Sequence, residues 1–275
     1  MQPQMTQITQ IINAAADTQM TQIDIPARPA ATVVVLRPST RSRDALRDER
    51  SLRAGEGEPF EILMVRRNDT VAFMAGAYVF PGGRVDDADR PQPGTAVPAA
   101  RFPDLSDEDE ATYRTAAVRE LAEEANVRIT PADLEPLAHW VTPQFETRRF
   151  DTRFFLARMP AGQVAKHDEG ETTALEWLTP SGAVEKFERR ELLLPPPTWT
   201  TIRQLEKRSS IEDVFAWARG RKIVRIMPGF IEDGTTTMLT LPGDPLHPTI
   251  AGWEVPEETR FVLEESARRW QPLKA

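Results

Sequence analysis

Glu120, Glu123 and Glu124 place three carboxylates within five positions of the stretch RTAAVRELAEEANV, residues 114–127. On an α-helix the i, i+3 and i+4 spacing puts them on one face. Like charges four apart repel there by about 0.2–0.5 kcal/mol. The same cluster becomes favourable around a divalent cation, because carboxylate oxygens are the ligands that Mg²⁺ and Mn²⁺ prefer. Taken alone, the run also reads as an ordinary solvated face, with Arg119 and Glu123 forming an i,i+4 ion pair. The surroundings decide between the two.

Ala117, Val118, Leu121 and Ala125 recur at helical spacing beside the acidic face, so the helix can pack on a sheet while it presents its carboxylates. The pattern predicts this helix over 106–125, with Ser106 or Asp107 as N-cap and an acidic first turn. Strands are predicted at 31–38 (ATVVVLRP), 60–67 (FEILMVRR), 77–80 (AYVF), 139–143, 148–159 and 174–178. A Pro-Gly-Gly turn follows AYVF, and 39–58 and 87–110 read as loops. Further helices are predicted over 181–192, 198–208, 210–220 and 255–270, with Ser209 or Ser210 capping the third and Gly220 as a left-handed stop. A hairpin around EDGT joins 222–228 to 235–244. Strands and helices interleave with hairpin-like segments, which predicts an α/β (α+β) fold with a mixed central sheet between helices.

The chain has 275 residues, a net charge of −8 and no cysteine. Disulfides, thiolate catalysis and Cys-ligated zinc are excluded, and the absence of cysteine fits a cytoplasmic location. The three histidines, His139, His167 and His247, are too scattered for a local zinc motif. No basic block exists to replace counterions on a nucleic acid, so no nucleic-acid partner is expected. Residues 1–28 read as a flexible tail without the apolar core of a signal peptide, and the longest β-branched apolar run is too short to span a bilayer, so no membrane partner is expected either. No phosphate-binding Walker loop, dinucleotide fingerprint or HExxH is present.

FMAGAYVFPGGRVD (73–86) followed by AAVRELAEEANV (116–127) resembles the signature of the Nudix hydrolases, a glycine-opened loop leading to Arg-Glu-apolar-x-Glu-Glu-x-Gly-apolar. Asn126 stands where the family has Gly and is the next-best residue for a left-handed helix stop. Gly83 and Arg119 lie 36 positions apart where the family pattern has 14, an insertion of 22 residues. The nearest match to the early Glu of the signature is Glu110, nine positions before Arg119 and not the usual eight. With WVTPQFETRRFDTRFFLA, LLPPPTW and LPGD, the likeness runs from about residue 30 to about 250 and points to the branch typified by the peroxisomal coenzyme A diphosphatase of animals. The chain ends in PLKA, so a peroxisomal signal of the Ser-Lys-Leu type does not carry over.

The resemblance implies a Nudix-like α/β/α sandwich: a catalytic domain over 29–180, its insertion at about 87–109, and a mainly helical extension over 181–275 packed on the same domain. That extension reads as a lid over the site or as the surface of a homodimer. The implied chemistry is hydrolysis of the phosphoanhydride bond of a nucleotide-derived small molecule, with coenzyme A or an acyl-CoA favoured. NADH, ADP-ribose, a nucleotide sugar, or a silent nucleotide-binding regulatory module are the alternatives. Mg²⁺ or Mn²⁺ would sit on Glu120, Glu123 and Glu124, with Arg119 orienting them. Gly82 and Gly83 would bring backbone close to the metals. Glu171, then Glu169, are the candidate general bases, and Arg66, Arg67 and Arg149 the candidate phosphate contacts. Phe73, Tyr78 and Phe145 are the candidate aromatics of an acyl or nucleobase pocket.

Overall fold

A run of small and β-branched residues builds the centre of the molecule. In the computed structural model, which describes residues 25–39, 59–68, 74–167, 172–232, 236–264 and 269–275, strand β1 (Arg28–Pro38) is buried from Ala30 to Leu36. β1 pairs in parallel with β6 (Phe150–Arg158), and antiparallel with β2 (Phe60–Arg67) and β4 (Gly82–Arg84). β3 (Tyr78–Val79), β5 (Glu135–Val141), β7 (Thr172–Leu178) and β8 (Arg225–Ile226) complete an eight-stranded mixed sheet. Its order is β3–β2–β1–β6–β5–β8, with β4 beside β1 and β7 beside β2.

Successive side chains on a strand point to opposite faces, and the two cores follow that alternation. Ala31, Val33 and Val35 of β1, with Phe155 and Ala157 of β6, pack under Ala116, Ala117, Leu121 and Ala125 of helix α1 (Asp107–Ala125). Val34 and Leu36, with Phe154 and Leu156, face the other way. There they meet α2 (Pro180–Glu188), α3 (Pro196–Leu205) and α4 (Ile211–Gly220) through Phe187, Ile202, Leu205, Val214 and Phe215. Helices on both faces of a mixed sheet make the α/β/α sandwich that the pattern predicts.

Ser106 caps α1, its hydroxyl accepting from Asp109 N at 3.1 Å, and Asn126 ends the helix in the left-handed region at φ 52°. The stretch between Gly83 and α1 is fastened down by its own residues. Phe102 is buried edge-on against Phe155, and Glu110 Oε2 accepts from Arg101 N and Phe102 N at 2.5 and 2.9 Å.

Two expectations fail in the extension. In the span 255–270 the described residues form no helix: Glu258–Glu264 is strand β11 and Arg269–Lys274 is strand β12, which with β9 (Gly229–Glu232) and β10 (Thr237–Thr240) make a four-stranded antiparallel sheet. Burial of Thr259 and Phe261 between less buried neighbours has the period of a strand, and Pro272 is tolerated because β12 is an edge strand. Gly220 is not a left-handed stop either: α4 runs through it and ends on extended Arg221. The hairpin around EDGT exists as β9–β10, while Arg225–Ile226 joins the main sheet beside β5. No helix among the described residues is long and apolar enough to cross a membrane.

Candidate active site

The Pro-Gly-Gly turn is locked onto β1 before it meets the helix. Thr32 Oγ1 reaches Phe80 O and Pro81 O at 3.1 and 2.7 Å, and Val33 N donates to Pro81 O at 2.8 Å. Gly82 then lies so close to β1 that an added Cβ would stand 2.3 Å from Ala31 O. Its N–H donates to Glu124 Oε2 at 2.8 Å. At Gly83 an added Cβ would stand 2.4 Å from the Glu120 carboxylate. Gly82 is therefore required by its approach to β1, and Gly83 by the Glu120 carboxylate that presses against it. Glu123 lies on the outer side, its side chain 58% exposed against 14% for Glu120.

Arg119 ties these groups together. Its Nε and NH2 donate to Asp89 Oδ1 and Oδ2 at 3.0 and 2.9 Å, and NH2 also reaches Arg84 O at 2.9 Å. NH1 donates to Glu120 Oε1 at 2.8 Å and Glu123 Oε2 at 3.2 Å. The bonds to Asp89, then to Glu120, push the guanidinium further up than an ordinary arginine. Burial works against ionisation of Asp89, but the Arg119 bonds and the Asp86 N–H outweigh it and hold the carboxyl below the usual aspartate range.

Asp89 was not among the predicted residues, and a signal for it existed. An early acid eight positions before the Arg, in a pattern where the Gly stands 14 before it, lies six after the Gly. Counted forward from Gly83, that position is Asp89. The inserted residues fall after it, so counting back from Arg119 lands on Glu110 instead. Glu110 is a structural anchor: it is 1% exposed and accepts from Arg114 Nε and NH2 at 2.9 and 2.7 Å.

A cleft of about 1060 Å³ opens at the glycine turn and is lined there by Glu120, Glu123, Glu124, Arg84 and Asp86. Arg67 and Asn68 at the end of β2, and Arg148 and Glu146 from the loop before β6, also line it. Of the arginines predicted to meet phosphate, Arg67 is in the lining and Arg66 is not; Arg66 NH1 donates to Thr173 Oγ1 at 3.0 Å. Arg149 is likewise absent from the lining. It precedes the strand instead of lying in it, is 6% exposed, and gives its guanidinium to Thr142 O and Ile25 O. Among the predicted aromatics, Phe145 lines the cleft, whereas Tyr78 is buried and donates to Glu176 Oε1 at 2.8 Å. Phe73, Glu169 and Glu171 lie outside the described residues. Buried His139 is held at Nε2 by Asp151 at 3.0 Å and belongs to the sheet.

Among the described residues no three acids or histidines converge ready-made on one point. The donor set nevertheless fits a hard divalent cation: three carboxylates of one helix line one cleft, and two of them already face the glycine turn. Arg119 already holds two of them, Glu120 and Glu123, through one nitrogen.

A profile of the NUDIX domain matches residues 52–194. The chain is 29% identical to the human acyl-coenzyme A diphosphatase NUDT19, with 80% of each chain covered. It is 23% identical to the Xenopus laevis protein of the same name, covering 69% of this chain and 72% of that one. The crystal structure of a NUDIX hydrolase from Alicyclobacillus acidocaldarius has the same fold, with a TM-score of 0.54 at 23% identity over 70% of this chain and 96% of that one.

Proposed function

The chain belongs to the NUDIX domain family, and from that premise we propose that it hydrolyses the diphosphate bond of coenzyme A or an acyl-CoA, releasing 3′,5′-ADP and a phosphopantetheine product. One observation carries the reading: Glu120, Glu123 and Glu124 line a cleft at the glycine turn, where the Gly82 N–H meets Glu124 and Gly83 leaves room for the Glu120 carboxylate. The similarity to acyl-coenzyme A diphosphatases over most of both chains supports the choice of substrate.

Glu120, Glu123 and Glu124 would hold Mg²⁺ or Mn²⁺, which when bound neutralises phosphate charge and lowers the pKa of the attacking water. Arg67, Arg84 and Arg148 line the same cleft and would take phosphate oxygens as charge-assisted partners. Arg119 acts through the glutamates, fixing two of them while Asp89 fixes it. Glu171 is the first candidate for the base and Glu169 the second; the strand that follows them begins at Thr172, paired with cleft-lining Arg67.

Product identification by mass spectrometry after incubation with coenzyme A, acetyl-CoA, NADH or ADP-ribose, with and without metal ion, tests this. Phosphopantetheine and 3′,5′-ADP from the first two are the expected products. Cleavage of NADH or ADP-ribose alone would contradict the substrate assignment and leave the diphosphatase assignment standing.

A further inference from the structure

The glutamates occupy one end of the cleft, and the extension builds the other. The register from the glycine turn runs Arg84 to Ala30, Ala30 to Thr152, and Thr152 to Trp140. Three strand steps separate Arg84 from Trp140, about 14 Å at about 4.8 Å each. Thr152, Phe154 and Trp140 line the cleft along this path. Facing them are residues at the start of α3, with Leu239 of β10 and Trp270 of β12.

Among the described residues, none after position 195 brings a charge into the lining. Pro195, Pro196 and Pro197 offer ring carbons and no N–H at the point where a helix start normally presents donors. Thr198 supplies the only hydroxyl that the described residues place on this wall. Phe145 of the lining stacks on Phe230 of β9, ring centroids 3.9 Å apart and 37% of each residue exposed, so the loop before β6 is joined to the four-stranded sheet. Apart from the Thr198 hydroxyl and the Trp270 indole N–H, no described side chain of this wall offers a donor or acceptor to the polar edge of a nucleobase. An alkyl chain needs only apolar surface, and gains about fourfold in affinity for each methylene it buries.

We infer that the extension forms an apolar subsite for the acyl chain of an acyl thioester, and that Phe145, Leu239 and Trp270 set the preference for acylated over free coenzyme A. This rests on the diphosphatase reading: the diphosphate lies at the glutamate end, and the arm attached to it crosses the floor toward Trp140. The extension is then neither a bystander nor only a lid. It determines what is attached to the diphosphate.

The test is the ratio of kcat/KM for palmitoyl-CoA to that for free coenzyme A, with octanoyl-CoA between them, in wild type, Phe145→Ser and Leu239→Thr. The wild-type ratio exceeds one, and each variant lowers it by about tenfold. Phe145 is partly exposed on a loop, so that variant reads out even if Leu239→Thr, at a buried strand position, fails to fold. A wild-type ratio of one or below, or a ratio retained in Phe145→Ser, overturns the inference. A wild type that cleaves neither compound fails earlier, at the diphosphatase reading itself.

Discussion

Arg119 grips Asp89 with two parallel hydrogen bonds, Nε to Oδ1 at 3.0 Å and NH2 to Oδ2 at 2.9 Å, while its remaining nitrogen holds Glu120 and Glu123. Asp89 and the two glutamates come from opposite sides of the inserted segment, so this one guanidinium joins the glycine loop to the carboxylate helix.

Asp89→Asn removes a charge from that joint. The variant loses about 1–3 kcal/mol at neutral pH, and its activity falls because Arg119 no longer fixes the glutamates. The Asp89 carboxyl sits below its ordinary range in the folded protein. Its stabilisation is therefore present above the unfolded value, about pH 4, and disappears as the pH falls through the lower folded value. Thermal melts of the two proteins should differ by a constant amount from pH 6 to 8 and converge in acid. A gap that stays constant into acid would contradict the ion-pair account.

The two glycines separate a structural requirement from a functional one. Gly82→Ala drives a methyl into the backbone of β1 and should destabilise the fold by more than about 2 kcal/mol. Gly83→Ala meets the end of the flexible Glu120 side chain, which can swing aside. The melting temperature should then hardly move, while the Mn²⁺ concentration for half-maximal activity rises by about tenfold. Equal destabilisation by both substitutions would show that Gly83 serves the fold alone.

Arg148 and Arg149 are neighbours with opposite assignments. Arg148 lines the cleft, and Arg149 is buried on backbone carbonyls. Arg148→Ala should raise KM about tenfold with little change in stability, whereas Arg149→Ala should lose about 1–3 kcal/mol of stability and keep its KM. Steady-state kinetics and urea melts on the pair settle which of the two meets substrate.

Tyr78 provides a pH probe away from the chemistry. Burial, then its bond to Glu176, pushes its hydroxyl up to about 12. Neutral Tyr78 stabilises the fold in full below the unfolded value near pH 10, and that contribution is lost as the pH rises through 12. Tyr113, the other tyrosine, is also raised, chiefly by burial. Ultraviolet titration of the folded protein should show no tyrosine ionising at pH 10, and Tyr78→Phe should narrow the stability gap to wild type above that pH.

Much of the site was legible because its signals are local. Three glutamates at helical spacing, an apolar stripe beside them and Asn126 as a left-handed stop are properties of one short segment, and helix α1 has them all. Asp89 was missed because counting back from Arg119 crosses the inserted residues, whereas counting forward from Gly83 reaches it. Arg66 and Arg149 were preferred on charge and position along a strand, but which arginine reaches a cleft depends on how the strand ends. Where a helix is expected over 255–270, the alternating burial of Thr259 and Phe261 has the period of a strand, and that period prevails. The apolar end of the cleft draws on β5, β6, α3, β10 and β12, and no sequence window contains it.

The central claim is that the helix glutamates support diphosphate hydrolysis in this cleft. Its most direct test is the initial rate of 3′,5′-ADP release from coenzyme A as Mn²⁺ is titrated, for wild type and Glu124→Gln. The substituted amide keeps an acceptor for the Gly82 N–H and removes the charge, so the fold should persist while the rate falls by about a thousandfold. A metal-dependent wild type with an inactive, folded variant is the predicted result. A Glu124→Gln enzyme that matches wild type, or a wild type indifferent to metal, would contradict it.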